Sequence, residues 1–312
     1  MDPSRTTASA FDQRVLDLYD DYVHGRVDRR GFLSGAAQFA VVGTTAAGLL
    51  AALAPQYAFA AQVAADDARI TTVYRTFPAP QGHDEGRGLL AMPRAPGRHP
   101  VVLVVHENRG LNPYIEDVAR RLAVAGFIAF APDALYPLGG YPGNDDKGRE
   151  MQATLDRAKV MADLEAAARF AHALPRGNGK LGVVGFCFGG LVTNVLASRL
   201  PDVVDAGVPY YGGQPSAEEA ARIRAPLLLQ FAELDTRVNA GWPAYEQQLK
   251  AAGVAYTAYV YPGANHGFHN DTTPRYDEAA AKLAWQRTVA FFDKYVRTPA
   301  PKSIPATGIS PT

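Results

Sequence analysis

From residue 61 onward the apolar positions switch repeatedly between two spacings. Residues 70–77 and 88–92 read as the two strands of an opening hairpin, with the turn-rich stretch 81–86 between them. Residues 101–105 form a short unbroken apolar run, the pattern of a strand covered on both faces. Residues 113–125 then carry Ile115, Val118 and Leu122 at helical spacing and stop at Gly126. The alternation continues with strands at 127–131, 181–186, 203–210, 226–231 and 256–261. Helices fall between them at 148–174, 191–200, 242–252 and 275–296, and the glycine- and proline-rich segment 136–148 reads as a loop. Repeated strand–helix units predict an α/β protein with a mostly parallel, doubly wound sheet. Parallel neighbours need a crossover, and the crossover helices cover both faces.

The first sixty residues follow a different pattern. A polar stretch carrying Leu16, Leu18, Tyr19 and Tyr22 runs into Asp28-Arg29-Arg30-Gly31-Phe32-Leu33. A weakly apolar run rich in Ala, Gly and Thr extends to Leu53, followed by Ala58-Phe59-Ala60. Paired arginines, a modest apolar region and an A-x-A end are the parts of a twin-arginine export signal. They predict a leader over residues 1–60, cleaved near Ala60, and a periplasmic or secreted destination. The rival reading retains the run as a membrane anchor or a packed helix, leaving a full-length protein on the membrane or in the cytoplasm. The glycines and threonines favour export, and the leader is the only membrane contact expected. The folded domain then spans 61–297. The tail 298–312 has four prolines and little apolar content, so disorder is expected there.

Charge removes some function classes. Lys+Arg and Asp+Glu number 31 each, so no net field draws the chain to nucleic acid or acidic membranes. Cys187 is the sole cysteine, which excludes an intrachain disulfide and a zinc site built on several cysteines. His24, His83, His99, His106, His172 and His269 are scattered, with no paired spacing near acids. Neither a metal nor a cofactor is expected.

The chemistry concentrates where strands end. Gly185-Phe186-Cys187-Phe188-Gly189-Gly190 lies between a strand and a helix and fits the nucleophile-elbow pattern, with Cys in place of the usual Ser. Asp235 follows the strand at 226–231, and His266 follows the strand at 256–261. Nucleophile, acid, histidine is the chain order of α/β-hydrolases, so Cys187 is expected as nucleophile, His266 as base and Asp235 as the group orienting it. Each alone is ordinary loop punctuation; the joint placement is specific. His106-Glu107-Asn108-Arg109-Gly110-Leu111-Asn112 follows the strand at 101–105, where this fold carries a second oxyanion donor. The backbone N–H groups of Phe188 and Asn108 are the expected pair. Glu107 reads either as a surface carboxylate paired with Arg109 or as part of the site.

With these residues assembled, the chain resembles the dienelactone hydrolase (carboxymethylenebutenolidase-like) family over about residues 101–292. The resemblance rests on the 106–112 motif, on Ala131-Pro132-Asp133-Ala134-Leu135-Tyr136, on the cysteine elbow, on Asp235 and on His266-Gly267-Phe268. It implies an α/β-hydrolase fold and a Cys187–His266–Asp235 triad acting on a small ester or lactone. It also implies that Glu107 restrains the resting thiol. Members that act on dienelactone hold its carboxylate with arginines absent here from Pro137-Leu138-Gly139-Gly140 and His269-Asn270-Asp271. Neutral esters or lactones are therefore expected as better substrates, with Arg109 or Arg275 as the cations that remain in reach. The competing readings are an acyl transferase and a non-catalytic binding protein on the same fold.

Overall fold

The computed structural model describes residues 6–40, 44–57 and 61–297. The expected tail at 298–312 and the Ala58-Phe59-Ala60 cleavage motif lie outside the described residues. The sheet has eight strands: β1 (Ile70–Ala79), β2 (Asp84–Pro93), β3 (His99–Val105), β4 (Ile128–Pro132), β5 (Gly177–Phe186), β6 (Ala206–Tyr210), β7 (Leu227–Ala232) and β8 (Tyr256–Tyr261). Their order is β1-β2-β4-β3-β5-β6-β7-β8. β2 pairs antiparallel with β1 and β4, and every other pairing is parallel. This is the mostly parallel α/β sheet expected from the alternation of elements, and it fits the α/β-hydrolase fold that the resemblance implies. Val101 to Val105 are fully buried because helices cover both faces of the central strands, and a separate apolar cluster lies on each side.

The helices joining the strands are α4 (Pro113–Val124), α5 (Asp145–Thr154), α6 (Arg157–His172), α7 (Phe188–Arg199), α8 (Ala217–Ala220), α9 (Thr236–Asn239), α10 (Trp242–Ala251) and α11 (Glu278–Phe292). The single helix expected over 148–174 is two. α5 starts inside the expected loop, where Asn144 caps it by accepting the Lys147 N–H. Asp156 then takes an extended backbone conformation and caps α6 by accepting from Ala158 and Lys159, which breaks the run. The last helix begins at Glu278 rather than at 275, because Asp277 is its cap. Arg275 is thereby left in the loop beside His266.

Residues 6–40 and 44–57 form an arm with its own core. α1 (Gln13–Val23), α2 (Arg29–Ala36) and α3 (Ala46–Leu53) pack around Leu16, Tyr19, Tyr22, Phe32 and Leu53. Phe32 and Leu53 are fully buried, each burial being worth about 1.5–3 kcal/mol. The apolar run read between Phe32 and Leu53 is not one helix: α2 and α3 have eight residues each and are separate. Among the described residues, no helix is long and apolar enough to cross a membrane.

Candidate active site

The site is built at the carboxyl ends of the parallel strands. β5 delivers Cys187, which holds a positive-φ backbone conformation (φ 56°, ψ −111°) at the start of α7. That conformation is strained for a residue with a side chain, and the packing around the turn enforces it. A Cβ on Gly185 would lie 1.9 Å from the Gly189 carbonyl oxygen, and one on Gly189 would lie 2.2 Å from that of Val105. Only glycine fits at either position. Phe188 opens α7, so its N–H is among the helix-start donors that have no intrahelical acceptor and can serve an anion.

β7 and β8 deliver the expected partners. His266 Nδ1 donates to Asp235 Oδ2 at 2.5 Å, and both residues are about 95% buried. Asp235 also accepts from the Val238 N–H at the start of α9, which fixes its carboxylate. Burial opposes the charged form of His266, but Asp235, Asp20 and Cys187 outweigh it and raise its pKa to about 10. Burial likewise opposes the thiolate, yet the imidazolium charges of His24 and His266 hold Cys187 well below its ordinary value. These interactions favour a thiolate paired with imidazolium over the neutral pair.

His24 was not expected in the site. It follows α1, and its Nε2 lies 3.2 Å from Cys187 Sγ. Its ring meets that of His266 edge-on, with centroids 4.8 Å apart. Asp20, four residues earlier, holds its Nδ1 through the main-chain carbonyl at 2.7 Å and a carboxylate oxygen at 3.2 Å. The Asp20 carboxylate also meets Arg275 at 3.3 Å and Arg237 at 3.4 Å. The rest of the arm is tied down beside these groups. Gln13 donates to Asn265 at 2.6 Å, Asn108 to the Val23 carbonyl at 2.8 Å, and Tyr22 to Asp146 at 2.6 Å. The i, i+4 pair Asp20–His24 is a signal the sequence carried. It passed unnoticed because residues 1–60 read as a leader.

The 106–112 loop is buried. His106 is fully enclosed and its Nε2 accepts from the Ala134 N–H at 3.1 Å, so it braces the loop against the segment after β4. Glu107 is not a surface carboxylate paired with Arg109. It is 7% exposed and accepts from Asn270 Nδ2 at 3.0 Å, while Arg109 bonds Asp145 at 2.5 Å. Burial raises the Glu107 pKa, Arg109 lowers it, and the Cys187 thiolate raises it further, so this carboxyl responds to the charge on sulfur. His269 is structural: it packs among Phe186, Tyr210 and Trp285, and burial lowers its pKa to about 3. A cavity of about 320 Å³ lies at the seam between arm and domain, lined in part by Asp20, Asp235, Arg237, His266 and Arg275.

A buried thiol on a strained strand-to-helix turn, with a carboxylate-held histidine from a later strand, defines the class as an α/β-hydrolase. The chain belongs to the dienelactone hydrolase family, whose model matches residues 87–296. Residues 2–41 match a second model, described as YqhI-like. An Escherichia coli (strain K12) protein named "Putative hydrolase fragment YghX" is 59% identical over 113 residues, covering 36% of this chain and 97% of that protein. A Synechocystis protein named "Putative carboxymethylenebutenolidase" is 34% identical over 223 residues, covering 66% of this chain and 90% of that protein. The crystal structure described as a "Putative Dienelactone Hydrolase" from Klebsiella pneumoniae superposes with a TM-score of 0.63 at 30% identity, covering 72% of this chain and 100% of that one.

Proposed function

We propose that this chain hydrolyses a small ester or lactone through a thioester on Cys187. The observation that carries the reading is the 2.5 Å bond from His266 to Asp235 beside a thiol held on the elbow turn. The Cys187 thiolate attacks the substrate carbonyl carbon, and the developing oxyanion is received by the N–H groups of Phe188 and Asn108. His266, protonated in the resting state, gives its proton to the leaving oxygen. It then takes a proton from water, whose oxygen attacks the thioester and returns the sulfur as thiolate. Asp235 keeps Nδ1 protonated throughout, so Nε2 is the atom that exchanges protons. A stopped-flow burst of p-nitrophenol from a short-chain ester, absent in Cys187→Ala, tests the reading. Equal turnover by the two proteins overturns it.

Access to sulfur is part of this function. With His24 Nε2 at 3.2 Å, the imidazole occupies one approach to Cys187, so the His24 side chain has to turn aside for turnover. Export through the twin-arginine route belongs to the same proposal. It rests on Arg29-Arg30-Gly31-Phe32-Leu33, whose two arginines are exposed at the start of α2.

A further inference from the structure

His24, Cys187 and His266 bring three metal-type donor atoms together, all within 4.8 Å of one another. Two imidazoles approach the sulfur from different parts of the chain, and each has its other nitrogen held by a carboxylate residue. Asp235 takes His266 Nδ1 at 2.5 Å, and Asp20 takes His24 Nδ1 at 2.7 Å through its main-chain carbonyl. Such outer partners fix the tautomer that leaves Nε2 free to ligate, as they do in carboxylate–histidine–metal arrangements. His266 Nε2 is buried and has no hydrogen-bond partner, an orphaned atom in a site that is otherwise closely bonded. An arm that served only to block the thiol would need neither a second imidazole nor a carboxylate behind it.

The dimensions and chemistry select the ion. Tetrahedral zinc with one sulfur and two nitrogens separates S from N by about 3.5 Å, from bond lengths of about 2.3 and 2.0 Å. The His24 Nε2–Sγ separation is already 3.2 Å. A thiolate and two neutral imidazoles suit a borderline-soft ion, and three protein ligands leave a fourth position for water. The charges nearby act in both directions. Asp20, Asp235 and Glu107 favour a cation, whereas Arg237 and Arg275 oppose it. Arg237 Nη2 lies 3.2 Å from His24 Nε2, and its side chain is 35% exposed, so it can swing into solvent as the ion enters.

We propose that His24 Nε2, Cys187 Sγ and His266 Nε2 form a zinc site, which couples the arm to the hydrolase domain and removes the nucleophile from catalysis while it is filled. Both imidazoles bind as the neutral form and the sulfur as thiolate, so zinc uptake displaces protons to solvent. The ion bridges arm and domain, so it also holds α1 in place. Binding itself does not depend on the hydrolase reading; the inhibition does, because it requires Cys187 to be the nucleophile.

The test uses the full chain, freed of metal by a chelator and titrated with Zn2+ alone against a chromophoric competitor. One equivalent is expected to bind. His24→Ala should weaken binding at least tenfold, and Asp20→Asn, which keeps the main-chain carbonyl on Nδ1 and removes only the carboxylate charge at 3.2 Å, by less. Co2+ in place of Zn2+ should give a thiolate-to-cobalt charge-transfer band in the near ultraviolet, lost in Cys187→Ser. With each protein measured against its own metal-free rate, ester hydrolysis by wild type should fall as Zn2+ fills the site, and His24→Ala should lose a much smaller fraction at the same concentration. If His24→Ala does not fold, His24→Gln takes its place, since it keeps the volume and loses the imidazole. Zinc held equally by wild type and the His24 variants, or cobalt bound without the sulfur band, overturns the site. A protein that binds zinc as described but never hydrolyses esters refutes the hydrolase reading and leaves the site standing.

Discussion

Asp20 and Arg275, 255 residues apart in sequence, meet at 3.3 Å beside the His266 imidazole. Arg237 approaches the same carboxylate at 3.4 Å, so the arm places an anion where two guanidinium groups line the cavity. The segments 137–140 and 269–271 carry no arginine, and the guanidinium groups that line this cavity come from Arg237 and Arg275. Arg275 lines the cavity, whereas Arg109 bonds Asp145 and acts on Glu107 through its charge.

Substrate charge preference should follow from this pairing. With Asp20 satisfying both arginines, wild type is expected to favour neutral esters or lactones over dienelactone, whose carboxylate would be desolvated without a free partner. Asp20→Asn should narrow that preference by raising kcat/KM for the anionic substrate several-fold more than for the neutral one. Equal kcat/KM values in wild type would show that the arm's carboxylate is no competitor.

Cys187 should be alkylated by one equivalent of iodoacetamide with loss of hydrolysis. Its pKa lies well below the ordinary 9.0, because the charges of His24 and His266 favour the thiolate, so the thiolate is lost only as pH falls through that depressed value. The alkylation rate is accordingly expected to begin its fall at a lower pH than that of an ordinary thiol. Full activity after complete labelling, measured by mass spectrometry, would remove Cys187 from the mechanism.

His266→Asn should reduce kcat by about 10³-fold or more, because the atom that moves protons is gone. Asp235→Asn should cost less, since its part is to orient and stabilise the imidazolium. Steady-state kinetics on one neutral ester decides the order. A larger loss in the Asp235 variant would reverse these assignments.

Glu107→Gln should lower hydrolysis and shift the pH profile of Cys187 alkylation, because the buried carboxyl and the thiolate oppose each other's charge. Unchanged kinetics with an unchanged alkylation profile would reduce Glu107 to the partner of Asn270.

Export predicts a mature chain beginning near Ala61 in the periplasmic fraction, read by N-terminal sequencing. Such a chain lacks His24 and should show no His24-dependent zinc affinity. An intact N-terminus in the cytosol, indifferent to Arg29→Lys with Arg30→Lys, would defeat the export reading.

What the sequence determined by itself was local or periodic. The strand and helix alternation, the glycines that the elbow turn demands, and the order of Cys187, Asp235 and His266 each leave a mark within a few residues. Asp235 and His266 accordingly lie just past the ends of β7 and β8. Helix ends shifted where a single side chain, Asp156 or Asp277, competed for backbone donors. The tertiary structure alone decided what closes the site. His24 and Cys187 lie 163 positions apart, and no spacing rule relates them. Their meeting depends on the arm's apolar cluster and on ion pairs whose partners come from opposite ends of the chain. A contact of that kind follows from how separate elements dock, and hydrophobic periodicity reports only which face of each element is covered.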